Sequence, residues 1–195
     1  RAMGLWTRLL ELGQDSKANP RAAARRSGAR RQLVALWERA RVLDQRLDSL
    51  AERVKAHPED LSSGLLLAQL RLHLGRIKDA ASGLNTLASR FPDNLEILRL
   101  RVALALRQQA LPQAVDLLRR IANLDPQGAG EALHQAAQIS KALEDHEAAL
   151  ELTEAALTLR PDDAQGQVRA GELRLGMGDR EKAARAWREA LRMNP

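Results

Sequence analysis

Residues 164–195 read AQGQVRAGELRLGMGDREKAARAWREALRMNP, and this stretch decides the fold. Its apolar and small residues recur in steps of three and four, which predicts two helices. Between them lies Gly178-Asp179, a strong helix-breaking pair because glycine reaches left-handed dihedral angles without steric cost. The stretch closes on Asn194-Pro195, where the proline forbids continuation of a helix. One unit of this chain is therefore predicted to be a helical hairpin.

Prolines mark the same unit along most of the chain. Five of the seven prolines are spaced by 34, 34, 35 and 34 residues, namely Pro58, Pro92, Pro126, Pro161 and Pro195. An alanine lies twelve residues before each of the last four, at Ala80, Ala114, Ala149 and Ala183. Two unlike residue types that keep one period are typical of a helical repeat array. Leucine and alanine dominate the apolar residues and aromatic residues are few, so an all-α fold is predicted.

These units resemble the tetratricopeptide repeat (TPR), a 34-residue helix-turn-helix whose second helix carries Ala-x3-aromatic and which closes on proline. The last unit has Ala170-Gly171 in its first helix and Ala183-x3-Trp187 in its second. The unit before it keeps Ala149, with Thr153 in the aromatic place. The first-helix tyrosine of the pattern is missing, because the chain contains no tyrosine. The resemblance implies a right-handed α-α superhelix, that is, a TPR solenoid of stacked hairpins.

The period divides the chain from residue 61 onward into four repeats, at 61–94, 95–128, 130–163 and 164–195. The one extra residue lies within 127–130, a loop that can absorb it. Gly75 suits the turn of the first of these hairpins, as Gly178 suits that of the last. The other two hairpins are expected to turn near 108–111, with Pro112 opening the next helix, and near 144–146.

The start of the chain is basic. Residues 1–14 match the second helix of the last unit, with Trp6 in the place of Trp187, which indicates a truncated repeat of a longer array. Residues 15–32 are expected to form a basic linker or a short helix. Residues 16–32 carry the whole formal charge of +6, because they contain no acidic residue beside Lys17, Arg21, Arg25, Arg26, Arg30 and Arg31. Such a patch would contact an anionic polymer by releasing counterions from its phosphates. A solvated helix face is the simpler interpretation, and with so few aromatic residues the sequence disfavours nucleic acid as a partner.

Residues 33–60 leave two interpretations open. Their apolar residues recur in steps of three and four, with no glycine or proline between Ala29 and His57. One long helix with a heptad stripe fits this pattern, and so does a diverged repeat whose two helices meet near 41–44. Pro58 lies in phase with the later prolines, which favours the repeat.

The sequence predicts no enzyme, no cofactor and no metal site. It contains no cysteine, and its four histidines do not have the four-residue spacing of a helical zinc site. It has no phosphate-binding loop, dinucleotide fingerprint or nucleophile elbow. The acidic pairs Glu144-Asp145 and Asp162-Asp163 fall at turns or helix starts, where they are expected to cap helices. No apolar run approaches the roughly 18 residues of a membrane span, so a soluble chain is expected, with the bacterial cytoplasm and periplasm both left open as its location.

The resemblance also implies where a partner binds. In tetratricopeptide arrays the first helices of successive hairpins line a concave groove, so outward places in those helices form one binding strip. In phase with the period, this strip is predicted to contain Leu65, Gln69, Leu72, Arg99, Ala103, Leu106, His134, Gln138, Lys141, Val168, Glu172 and Leu175. Its apolar members would anchor a peptide or partner protein, and its polar members would orient it. The alternative is self-association through exposed hairpin faces at the ends of the array, giving a homo-oligomer.

Overall fold

The computed structural model describes residues 20–194, with side chains over 27–194. Across that part of the chain the regular elements are ten α-helices, without a strand, which confirms the predicted all-α helical repeat fold. The predicted repeat helix at 1–14 lies outside the described residues. Among the helices of residues 20–194, none combines the length and the apolar character that crossing a bilayer requires.

Two compact units make up the chain, residues 1–108 and 109–195. In the first unit the described helices are α1 (Pro20–Arg39), α2 (Leu43–Ala56), α3 (Leu61–His73), α4 (Ile77–Arg90) and α5 (Leu95–Arg107). In the second unit they are α6 (Leu111–Leu124), α7 (Ala129–Ala142), α8 (His146–Leu159), α9 (Ala164–Gly176) and α10 (Arg180–Met193). Helices α7 with α8 and α9 with α10 coincide with the predicted hairpins at 130–163 and 164–195.

Each unit is held by apolar contacts along its helices. In the first unit Leu33 and Trp37 of α1 pack against α2 and α3, and a second cluster joins α3 to α4 and α5. The alanines that keep the 34-residue period are fully buried, with side chains 0% exposed at Ala80, Ala114, Ala149 and Ala183. A methyl group is a small side chain that lets two helix backbones approach closely, so we expect a larger residue at these positions to disturb the packing.

The turns between paired helices repeat one backbone conformation. A residue with positive φ occurs at Arg41 (55°), Gly75 (71°), Gln109 (57°), Glu144 (61°) and Gly178 (85°). These residues are spaced by 34, 34, 35 and 34, the same series as the prolines. Because α1 ends at Arg39 and α2 begins at Leu43, residues 33–60 are not one continuous helix. The basic stretch is helical from Pro20, as part of α1, and is no linker there.

Short polar side chains cap five of the described helices. Asp60, Asn94 and Asp163 accept hydrogen bonds from backbone N–H groups in the first turns of α3, α5 and α9, at 2.9–3.1 Å. Asp145 and Asp179 do the same for α8 and α10. Such a cap satisfies N–H groups that have no partner within the helix. The structure therefore places Asp145 and Asp163 in the capping roles predicted for the acidic pairs.

Candidate partner-binding surface

Two residues of the predicted strip lie in the core of the first unit. Leu65 and Leu72 are only 2% and 6% exposed, within the cluster that α3 forms with α4 and α5. The opposite side of α3 is covered as well, because Leu67 packs into the cluster shared with α1 and α2. Helix α3 is thus enclosed on both sides, and neither leucine is available to a partner, in contrast to the prediction.

The rest of the strip in the first unit is mixed. Gln69 and Arg99 are half-buried, and Ala103 is exposed. Leu106 is 44% exposed near the end of α5. Among these four side chains, Leu106 is the large apolar residue that is exposed to solvent. The part of the predicted strip in the first unit therefore has little exposed apolar surface for a partner.

The second unit brings the predicted residues of α7 and α9 together. Lys141 Nζ of α7 lies 3.1 Å from Glu172 Oε2 of α9, which links the first helices of two successive hairpins. On α7, Gln138 Nε2 lies 2.9 Å from His134 Nε2. Both members of the Lys141–Glu172 pair are about half exposed. An exposed pair of this kind contributes only about 0–1 kcal/mol, so a partner can replace it at small cost.

Arg169 is a member of this surface that the sequence reasoning missed. It lies on α9, directly after Val168, and its Nη2 is 3.2 Å from Asp163 Oδ2. Its Nε is buried and has no hydrogen-bond partner among the described residues. A buried N–H without an acceptor costs free energy. The sequence prediction included only residues on one face of each first helix. Arg169 was left out because it directly follows Val168 in sequence and therefore falls outside that set.

Electrostatics at this surface favour a neutral imidazole. Burial, and after it the positive charge of Arg169, lower the pKa of His134 below its ordinary value of 6.5. The nearby carboxylates of Glu131 and Asp163 act in the opposite direction but do not prevail. At neutral pH His134 therefore carries no charge and offers one nitrogen as donor and the other as acceptor.

Apolar side chains adjoin the polar ones. Val168 and Leu175 of α9 are 39% and 45% exposed. Leu143 and Met177, which directly follow α7 and α9, are exposed to a similar degree, 41% and 44%. The prediction considered only residues within the first helices, so it did not include Leu143 or Met177. Large apolar residues left open beside hydrogen-bonding groups suit the binding of a mixed peptide surface. We call His134, Gln138, Lys141, Val168, Arg169, Glu172 and Leu175 the α7–α9 surface.

The basic stretch offers less than its charge suggests. Lys17 lies outside the described residues, as do the side chains of Arg21, Arg25 and Arg26 on α1. Arg30 is only 2% exposed and forms an ion pair with the buried carboxylate of Glu96 on α5. Its predicted role as a surface contact for anions is therefore wrong, because that charge is already neutralised inside the first unit. Arg31 is exposed, with Nη1 3.4 Å from Ser27 Oγ.

No cluster of three or more histidine, aspartate or glutamate side chains that could hold a metal ion occurs among residues 27–194. Acidic side chains act as helix caps, as Asp145 and Asp163 do, or as ion-pair partners, as Glu172 does. The α7–α9 surface can form hydrogen bonds and apolar contacts with a partner.

Comparisons with known proteins agree with this architecture. Residues 130–163 match the model of the tetratricopeptide repeat. Among solved structures, MamA has a TM-score of 0.63 at 18% identity, covering 83% of this chain and 94% of that one. YrrB, described as a TPR protein with an unusual peptide-binding site, has a TM-score of 0.60 at 15% identity, covering 97% and 92%. No curated protein matches the sequence. At these identities the likeness shows the fold alone.

Proposed function

We propose that this chain, a tetratricopeptide-repeat protein by its fold and by its repeat at 130–163, is a scaffold that binds a peptide or a partner protein at the α7–α9 surface. Tetratricopeptide repeats are typically a non-enzymatic interaction fold, and YrrB shows that a protein of this fold has a peptide-binding site. The observation that carries the proposal is the buried Nε of Arg169, which has no acceptor among the described residues and borders exposed apolar side chains.

The partner's chemistry follows from these groups. A backbone carbonyl or side-chain oxygen of the partner accepts from Arg169 Nε, and the neutral imidazole of His134 forms a second hydrogen bond. An apolar side chain of the partner packs on Val168 and Leu175, which are both more than a third exposed. The charges of Lys141 and Arg169 are each matched by a carboxylate, so fit and hydrogen bonding, rather than bulk charge, select the partner.

Preformed helices make such binding efficient. Helices α7 and α9 are fixed by α8 and α10, which pack against them through fully buried alanines such as Ala136, Ala149, Ala170 and Ala183. Backbone order is therefore in place before the partner arrives, and the entropy lost on binding falls mainly on the partner and a few side chains.

Partner capture with matched variants tests the proposal. We would compare the wild-type chain with an Arg169→Ala/Leu175→Ser variant and with an Arg185→Ala/Leu159→Ser control, whose residues are also exposed. Proteins retained from lysate would be quantified by mass spectrometry after circular dichroism shows equal helicity. A partner kept by the wild type and the control but reduced by about tenfold in the surface variant, roughly 1.4 kcal/mol, supports the proposal. Equal retention by all three chains contradicts it.

Self-association is a second candidate because of Leu191. This residue is 65% exposed on α10. Leu157, 34 residues earlier and at the same place of the preceding hairpin, instead packs on Gly166, where an added Cβ would lie 2.8 Å from Leu157 Cδ2. We infer that a second copy of this chain would cover the exposed side chain of Leu191. Sedimentation velocity over a wide concentration range tests it, since a Leu191→Glu variant should remain monomeric where the wild type associates. A wild type that stays monomeric throughout rejects this candidate.

A further inference from the structure

A cavity of about 960 Å³ lies within the first unit, and no residue of the α7–α9 surface lines it. The end of α2, the turn that follows it, and the first turns of α3 and α5 form its walls, and Arg30 of α1 contributes to the lining. Ligand sites for small molecules or single side chains have volumes of roughly 300–1,000 Å³. The cavity is therefore large enough for one or two peptide residues.

One of the lining residues, Arg30, has a hydrogen-bond donor that lacks an acceptor within the described part of the chain. Arg30 is 2% exposed, and one of its Nη groups bonds to Glu96, but its Nε has no acceptor among the described residues. Asp60, whose side chain is 9% exposed, is satisfied by Ser63 N, Ser63 Oγ and Arg53 Nε at 2.7–3.0 Å. Because a buried donor without an acceptor is costly, an oxygen supplied by a ligand would stabilise Arg30.

The charge of the lining decides which ligand can supply that oxygen. The lining contains four carboxylates, those of Glu52, Glu59, Asp60 and Glu96, and two arginines, Arg30 and Arg53, which leaves a net charge of −2 when His57 is neutral. A carboxylate or phosphate would meet this excess of negative charge and be repelled. A ligand that carries a neutral carbonyl oxygen and a cationic group would supply the acceptor that Arg30 lacks and would also be attracted by the negative lining.

Apolar side chains complete the site. Leu65 is 2% exposed and lines the cavity together with Leu61 and Phe91. The aliphatic stems of lysine and arginine bury readily on such a surface while the charged head stays near water. Glu59 is 73% exposed and Glu52 is exposed as well, so both carboxylates stand where a charged head would emerge.

We propose that this cavity is a second binding site, which takes a lysine or arginine residue of a peptide. The backbone carbonyl of that residue accepts from Arg30 Nε, its stem packs on Leu61 and Phe91, and its cationic head pairs with Glu52 and Glu59. The proposal is independent of the α7–α9 surface, since every residue it uses lies between positions 30 and 96.

NMR titration of the full chain tests it. The probes are acetyl-Gly-Arg-Gly-amide, the same tripeptide with citrulline, and the same tripeptide with glutamate. We expect shifts at residues that line the cavity with the arginine peptide, weaker binding of the citrulline peptide, and none of the glutamate peptide. In a Glu52→Gln/Glu59→Gln variant the dissociation constant should rise about fivefold, since two exposed attractive charges are lost.

Matched variants keep the outcome clear. A Glu147→Gln/Glu181→Gln variant removes two exposed carboxylates from α8 and α10, and it should bind the arginine peptide like the wild type. An Arg169→Ala variant should do so too, which separates this site from the α7–α9 surface. Equal response to the glutamate peptide, no shift at the cavity, or unchanged affinity after the Glu52→Gln/Glu59→Gln change would each overturn the proposal.

Discussion

Arg30 of α1 and Glu96 of α5, 66 residues apart in sequence, form a buried ion pair in the first unit. Removing one partner of a buried ion pair typically costs about 3–5 kcal/mol. We expect Arg30→Met to lower the free energy of unfolding by about 3 kcal/mol, and Arg30→Met/Glu96→Leu to recover at least half of that loss. Urea denaturation of the wild type and the three variants of this cycle measures it. A double variant less stable than both single variants would contradict the pairing.

We predict that position 178 favours glycine because of its backbone angle and not because a side chain would be crowded there. Its φ is 85°, and an added Cβ would meet no atom within 4 Å. Gly178→Ala should therefore destabilise the fold by about 1 kcal/mol, the usual cost of a left-handed conformation for a residue with a side chain. The matched control is Gly176→Ala, in open space near the end of α9, which should stabilise by about 0.5–1 kcal/mol. Thermal unfolding of both variants checks the opposite signs.

Glu144 takes the same turn conformation with a side chain, at φ 61°. Glu144→Gly relieves that strain, so the free energy of unfolding should rise by about 0.5–1 kcal/mol. A loss of stability in chemical denaturation would show that the glutamate side chain matters more than the backbone angle.

Gly171 and Trp187 pack against each other across the last hairpin. A Cβ on Gly171 would lie 2.3 Å from Trp187 Nε1, and that indole nitrogen donates to Val168 O at 3.3 Å. We expect Gly171→Ala to cost about 2 kcal/mol, because the rigid ring cannot yield as a flexible side chain would. Adding Trp187→Leu should lessen the effect of Gly171→Ala in a double-mutant cycle of thermal stability. Additive losses would argue against the contact.

The depressed pKa of His134 predicts a pH dependence of stability. Since its pKa in the folded chain lies below the ordinary value of 6.5, the unfolded chain binds the proton more readily. The stabilising contribution of the neutral His134 is complete above about pH 6.5 and decreases as the pH falls below that value. His134→Gln should therefore lose less stability than the wild type between pH 7.5 and pH 5, as checked by thermal melts, with NMR of the imidazole reporting the pKa directly. Parallel losses in both chains would refute this assignment.

The repeat could be predicted because its signals are local and periodic. Pro161 ends one helix and Ala149 needs close packing, and each acts through its own backbone neighbourhood, so spacing alone revealed them. The turn at Glu144 was placed correctly without a glycine because the period continued through it. Composition and spacing were therefore sufficient for the all-α repeat fold.

The individual binding residues were predicted less accurately than the fold, because the exposure of a side chain depends on which other helices pack against it. Leu72 and Leu175 occupy the same place in their repeats, yet one is 6% exposed and the other 45%. Helix α3 is enclosed by neighbours on both sides, whereas Leu175 lies where no described residue covers it fully. Arg30 looked like surface charge because its partner, Glu96, is distant in sequence.

The most direct test of the scaffold account is NMR mapping of a captured partner peptide on the wild-type chain. The account predicts chemical-shift changes concentrated at His134, Gln138, Arg169 and Leu175, and the loss of those changes in Arg169→Ala/Leu175→Ser. Changes confined to the first unit or to α10, with α7 and α9 unaffected, would contradict it.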